Sequence, residues 1–397
     1  MCFFSHLPDL AGAERSLLDL VTHLIEDHGV RCTVVVPGDG PLIPLLEAAG
    51  AGVLHTEYGW WCDVELVPKA EARRRMDESV ARLHEQIIPA VRKLDLDVIC
   101  TQTIVIPYGA LAATKLGKPH IWNLREHGEA EGFKFFWPFD EVSAFIRDRS
   151  DFVYGANARL CEQIIPSLRP EEHDVLSPAI DVPSEIPDTR GNSSPFGVDG
   201  FHLAEFATIA PMKRLDVAIN AVGDLTRRGR SVELLIAGDQ LPDYVAELDQ
   251  LIHCSGLEDR VHLEGFMEDV FPAMAAADAV VISAPVHALG RTAVEGMLLG
   301  KPVVYPLGTG FDDYLEDGIT GLGYAARDPH AMADRIDLLI RSPGLGRELG
   351  LRAQVAARAT FTRDGFAGKF YCRALALRDR PVKRRTATVP SLLRYRS

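Results

Sequence analysis

Residues 290–295, Gly-Arg-Thr-Ala-Val-Glu, place a glycine, a cation, a hydroxyl and an acid side by side. Two chemistries suit the set. Thr292-x-x-Glu295 matches a capping box, in which the acid bonds the start of its own helix. Alternatively, the Glu295 carboxylate accepts two ribose hydroxyls while Gly290 admits a sugar-phosphate close to the backbone, with Arg291 and Thr292 beside it. Lys213 and Arg214 stand where a strand gives way to a helix. Cations there oppose the helix dipole. A bound phosphate would explain them, as would a solvated surface pair. Gly308-Thr309-Gly310 follows a strand and has the composition of a nest whose N–H groups cradle a phosphate. Ala11-Gly12-Ala13 is a turn small enough for close ligand approach, and the helix start after it offers free N–H groups to an anion. A tight packing turn accounts for it equally. Arg125, Glu126 and His127 end a strand in the first half, where a ligand-facing role competes with a structural histidine. The aromatic run Phe133, Phe135, Phe136, Trp137 and Phe139 reads as core.

These residues need a scaffold, and apolar periodicity supplies one. Val34–Val36, Val98–Cys100, Ile121–Leu124 and Phe152–Tyr154 read as buried strands. Leu17, Leu18, Val21, Leu24 and Ile25 recur at helical spacing. The alternation pauses in a Pro-, Gly- and Ser-rich stretch over 183–200, then resumes at Leu203–Ile209, Leu234–Ala237, Val261–Leu263, Ala279–Ile282 and Pro302–Tyr305. Strand and helix in alternation mean parallel sheets. The expectation is an α/β chain of two Rossmann-like doubly wound domains, 1–184 and 201–360, joined by a linker at 185–200. A C-terminal helix and basic tail follow over 361–397. Ligands of such sheets bind beyond the strands' carboxyl ends, and with two domains the natural site is the cleft between them.

A chain of 397 residues exceeds one ordinary core. Hydrophobic residues make up 47% and charged residues 25%, as in soluble globular proteins. The net charge of −14 argues against a general nucleic-acid binder. No signal peptide or transmembrane run is read. The seven cysteines are scattered without metal spacing, which fits a reducing cytoplasm. From Arg378 onward there are seven Lys or Arg against the single acid Asp379. That tail is either solvated or a weak anchor on the anionic inner face of a membrane.

The motifs, taken in order, resemble the family-4 retaining glycosyltransferases of the bacterial group-1 type. The resemblance is carried by "AGAERSLL" at 11–18, "GKPHIWNLREHGE" at 117–129 and Lys213 after its strand. The loop with Phe266, Gly-Arg-x-x-x-Glu at 290–295, "GKPVV" at 300–304 and "DGITGL" at 317–322 complete it. It implies the GT-B fold and transfer of a hexosyl-type sugar, with retention, from a nucleotide-diphospho-sugar to an acceptor hydroxyl. UDP- or GDP-linked donors are expected, with no metal and no other cofactor. By resemblance, Lys213 stabilises the diphosphate, Glu295 holds the ribose, and Gly290, Arg291 and Thr292 line the phosphates. Gly12 approaches the diphosphate from the N-terminal domain. His127 or Glu126 sits by the sugar, and Phe266 and Met267 lie near the base. Arg214 and Thr309 join this donor-binding set.

Two positions depart from the family pattern. His287 stands where the family's Glu-x7-Glu has its first acid, and Thr208 stands five residues before Lys213, where an arginine is frequent. These departures keep two other readings open. One is a sugar-nucleotide-binding homologue without catalysis. The other is an epimerase or phosphorylase on the same fold.

Overall fold

The computed structural model describes residues 1–183, 186, 195–197, 200–285 and 289–380. Most of the expected linker, His287 and the basic tail beyond Arg380 lie outside the described residues.

The chain forms two compact units. One comprises Met1–Ala179 together with the segment from Phe361 onward, and the other Ile180–Thr360. The first contains β1 (Cys2–Phe4), β2 (Thr33–Val36), β3 (Gly52–His55), β4 (Cys62–Asp63), β5 (Ile99–Gln102), β6 (His120–Leu124), β7 (Lys134–Phe135), β8 (Phe152–Gly155) and β9 (His173–Val175). Seven of these make one sheet in the order β3-β2-β1-β5-β6-β8-β9. All its pairings are parallel; Phe3, for example, is opposite both Val34 and Cys100. The second unit contains β10 (Phe201–Phe206), β11 (Val232–Ala237), β12 (Val261–Glu264), β13 (Ala279–Val281), β14 (Val303–Pro306) and β15 (Leu322–Tyr324), ordered β12-β11-β10-β13-β14-β15 and again parallel. Helices flank both sheets, and the central strands are apolar runs because both faces are covered.

In each sheet the chain winds outward from one strand and then returns to its other side. The reversal falls between β1 and β5 in the first sheet and between β10 and β13 in the second. At such a switch point the loops leaving adjacent strands diverge, which opens a crevice at the carboxyl ends.

Two details go beyond the expected scheme. The 361–397 segment was expected as a separate helix and tail, yet residues 361–380 complete the first unit. Phe366, Phe370, Ala374 and Leu377 share a core with Phe3, Leu17, Leu20 and Tyr154, and the Phe370 ring lies 5.7 Å from that of Phe3. Of the aromatic run read as core, Trp137 is buried, whereas Phe133, Phe135, Phe136 and Phe139 are only partly so. Trp61 packs against Trp122, Phe135, Trp137 and Phe145 at ring separations of 6.1, 6.2, 6.0 and 5.4 Å. The short antiparallel pair β4–β7 ties Trp61 to that run.

Candidate functional site: two switch-point clusters

In the first unit three titratable groups converge at the β1/β5 switch point. His6 follows β1, Glu126 follows β6, and Glu14 lies in the first turn of the helix Gly12–His28. An acid is favoured in that turn by the helix dipole. His6 Nδ1 lies 2.6 Å from Glu14 Oε1, with both side chains buried. Burial alone would lower the imidazole pKa. The Glu14 carboxylate overcomes this by charge and hydrogen bond, and with the field of Glu126 holds His6 above its ordinary value. Glu126 Oε2 accepts the Ile104 N–H at 2.9 Å. Crowding by the protein pushes its carboxyl up to about 7, against the opposing charge of His6 and the Ile104 bond. Trp60 closes one side, its indole N–H donating to the His6 carbonyl at 3.0 Å. His127 Nδ1 lies 2.7 Å from Gln163 Oε1. Gly12 is the first residue of its helix, and its carbonyl accepts from the Ser16 hydroxyl at 3.0 Å.

In the second unit the β10/β13 switch point gathers Glu205, Phe206, Ser283, Lys213 and Thr292. Lys213 closes the short helical turn Pro211–Lys213 after β10, and its charge acts on the Glu205 carboxyl. The capping-box reading of Thr292 and Glu295 is corrected here. The helix runs Arg291–Leu298 with Gly290 as its cap, so Thr292 is too deep to cap it. Its hydroxyl instead donates to the Phe206 carbonyl at 2.9 Å, fastening the helix start to the end of β10. Glu295 lies one turn on, with Arg291 Nε at 3.6 Å from its Oε1.

Gly290 has φ of 70°, in the left-handed region, and a Cβ there would overlap the Phe311 ring. This position therefore admits only glycine. Gly290→Ala is expected to destabilise the second unit by roughly 1–2 kcal/mol from backbone strain and about 1–3 kcal/mol from overpacking. Urea unfolding would check it; an unchanged midpoint would show that Phe311 moves aside at no cost.

Two other donor-site candidates are already engaged by the chain's own acids. Gly308 N and Thr309 N both donate to Asp312 Oδ2, at 2.8 and 3.0 Å. The expected phosphate nest thus holds a carboxylate. Arg214 adopts a left-handed φ of 53° and makes a two-pronged bond to Asp216, with both contacts at 2.9 Å. Phe266 is exposed and Met267 partly so, in the loop leaving the edge strand β12. No group of three or more His, Cys, Asp or Glu among the described residues could hold a metal ion.

Sequence reasoning passed over His6, Glu205 and Ser283. Glu205 carried a readable signal, being an acid inside the otherwise apolar run Leu203–Phe206. His6 carried none, because its partner Glu14 is set by the fold.

Two doubly wound parallel units with their clusters at the switch points are the GT-B fold of glycosyltransferases. Residues 201–342 match the family model described as Glycosyl transferases group 1. The alpha-D-kanosaminyltransferase of Streptomyces kanamyceticus is 34% identical over 158 residues, covering 39% of this chain and 40% of that one. A D-inositol 3-phosphate glycosyltransferase of Frankia alni is 29% identical over 212 residues, half of each chain. The chain thus spans about half or less of the length of these relatives. The crystal structure of Anabaena Alr3699/HepE in complex with UDP and glucose superposes with a TM-score of 0.78 over 95% of this chain and 99% of that one, at 22% identity. The sucrose-phosphate synthase of Thermosynechococcus elongatus gives 0.75 over 94% and 98%, at 16%. The family model and both named relatives are of glycosyltransferases.

Proposed function

We propose that the protein transfers a hexosyl-type sugar from a nucleotide-diphospho-sugar to an acceptor hydroxyl, with retention and without a metal. The observation that carries this reading is the cation-bearing switch point of the second unit, where Lys213 stands in the turn after β10 and Thr292 ties the start of the helix Arg291–Leu298 to the end of that strand. It lies inside the group-1 match. The relatives' names and the UDP and glucose of the Anabaena structure support a sugar nucleotide as donor. Lys213 neutralises charge growing on the departing diphosphate, Arg291 and Thr292 line the phosphates, and Glu295 takes the ribose hydroxyls. The acceptor belongs to the first unit. There Glu126, its carboxyl raised to about 7 by burial and held by the Ile104 N–H, accepts a proton as the acceptor hydroxyl attacks.

The test is calorimetric titration with UDP, GDP, TDP and ADP in the presence of EDTA, repeated on Glu295→Ala. One nucleotide is expected to bind, and the variant to lose most of that affinity. If none binds, the non-catalytic reading replaces this one.

The Glu126 carboxylate can take a proton only when ionised. Activity should therefore rise with pH through about 7, and Glu126→Gln should flatten this limb and lower kcat by about 10²-fold or more. An unaltered pH profile in the variant removes Glu126 from the reaction.

No helix among the described residues is long and apolar enough to cross a membrane. We place the protein in the cytoplasm, with the basic residues 383–396 contacting anionic lipid, each adding about 1 kcal/mol. A variant ending at Arg380 should sediment less with phosphatidylserine vesicles than the full chain; equal sedimentation rejects the contact.

A further inference from the structure

Arg92, Lys115 and Lys118 surround a cavity of about 210 Å³ on the first unit. The rest of its wall is apolar: Val91 and Leu96 are buried, and Leu94 and Leu116 half-buried. The cavity lies where the helix Ile88–Arg92 leads towards β5 and the helix Tyr108–Leu116 leads towards β6. These are the amino ends of the strands. His6 and Glu126 follow the carboxyl ends of theirs, so the cavity is separate from the proposed reaction.

Local structure does not account for the three cations. The helix dipole favours Arg92 and Lys115 in the last turns of their helices, but Lys118 lies beyond either helix. Carbonyls at both helix ends are already met by main-chain donors: those of Ala90 and Val91 by Lys93 and Leu94, and those of Ala113 and Thr114 by Lys118 and Gly117. No acid lines the cavity among the described residues. The two acids nearest in sequence act elsewhere, Asp95 on Arg31 at 3.7 Å and Asp97 on Arg378. Arg92, Lys115 and Lys118 make no ion pair among the described residues. In a chain of net charge −14 they form a local positive patch beside apolar surface. Arg378 also places the end of the described chain near this cavity, since Asp97 follows Leu96, and five further Lys or Arg lie within 383–396.

We propose that this cavity binds a phosphate-headed amphiphile, with the phosphate on Arg92, Lys115 and Lys118 and the adjoining carbons on Leu94, Leu96 and Leu116. Three cations match the three acceptor oxygens and the charge of a phosphate monoester, to which they give charge-assisted bonds. The apolar wall gains by covering hydrocarbon that water would otherwise meet. The volume is below the roughly 300–1,000 Å³ of pockets that enclose a whole ligand, so the site takes the head and the start of the chain. Such a ligand is met either free in solution or in the headgroup layer of a membrane, with the same chemistry.

The experiment is calorimetric titration of the full chain with monomeric octyl phosphate. It should bind roughly tenfold or more tightly than either inorganic phosphate or octanol, since each of these lacks one half of the recognition. Lys115→Glu combined with Lys118→Glu should weaken it by roughly tenfold or more. Lys93→Glu, the same kind of charge change on an exposed residue outside the cavity, should leave it unchanged. Lys115→Gln combined with Lys118→Gln should also weaken it, and decides the matter if the charge-reversed variant does not fold. Sedimentation of the full chain with phosphatidylcholine vesicles containing phosphatidate then names the source. A loss in the double variant assigns the site to membrane lipid; equal sedimentation, with octyl phosphate binding lost, assigns it to a free amphiphile. The inference is overturned if octyl phosphate does not bind, or if octanol or inorganic phosphate binds as tightly. It is overturned equally if Lys93→Glu weakens binding as much as the double variant.

Discussion

Lys213→Ala is expected to lower the rate of sugar transfer by about 10²–10³-fold, the usual effect of deleting one preorganised charge at a developing anion. Arg214 follows it directly in the chain but is bound by Asp216 in a two-pronged contact, so Arg214→Ala should cost far less. The contrast separates a catalytic cation from a generally basic surface, since removing either would weaken a surface by similar amounts. Glu295→Ala should show a different signature. Losing a charge-assisted bond to ribose costs about 1.5–3 kcal/mol, which appears mainly in KM and nucleotide affinity rather than in kcat. The measurement is steady-state transfer for the three variants with one donor. Equal rates for Lys213→Ala and wild type would sink the proposed site.

Removal of residues 361–397 is expected to unfold the first unit while the second survives. Phe366, Phe370 and Leu377 are buried against Phe3, Leu17, Leu20 and Tyr154. Burying three such side chains stabilises by roughly 5–9 kcal/mol, comparable with the whole stability of a domain, about 5–15 kcal/mol. All four tryptophans, Trp60, Trp61, Trp122 and Trp137, lie in the first unit, so tryptophan fluorescence reports on that unit alone. Truncation after Thr360 should abolish its cooperative transition, whereas truncation after Arg380 should leave it. A normal transition in the shorter variant would mean that the terminal helix only decorates a self-sufficient core.

These predictions draw on features unequally visible in the sequence. The fold was legible because buried parallel strands are uninterrupted apolar runs, as at Val34–Val36 and Ile121–Leu124. Strands β3 and β9 escaped because they are only partly buried, so Gly52–His55 and His173–Val175 lack such runs. Lys213, Gly290 and Glu295 could be singled out because their types are unusual at a strand-to-helix junction. What their neighbours do could not. Asp312 filling the Gly308–Thr309 nest and Asp216 engaging Arg214 are local contacts that depend on a turn's dihedral angles. Whether Thr292 caps its helix or bonds Phe206 depends on where the helix begins, and a shift of one or two residues decides it. His6 and Glu14 are eight residues apart and meet only because a strand end and a helix start are packed together. The return of Phe366 and Phe370 to the first core is longer in range still, since local periodicity carries no information about which sheet a terminal helix covers.

That return has a consequence for synthesis of the chain. The first unit begins at Met1, yet part of its core follows the whole of Ile180–Thr360. At ordinary elongation rates of about 5–20 residues per second, the intervening segment takes roughly 10–40 s to emerge. During that interval Phe3, Leu17 and Leu20 lack their final cover, and the second unit can close first. Of the two units, the one whose synthesis starts earlier is thus the one completed later, and its nascent form is the stage at which chaperones have most to bind.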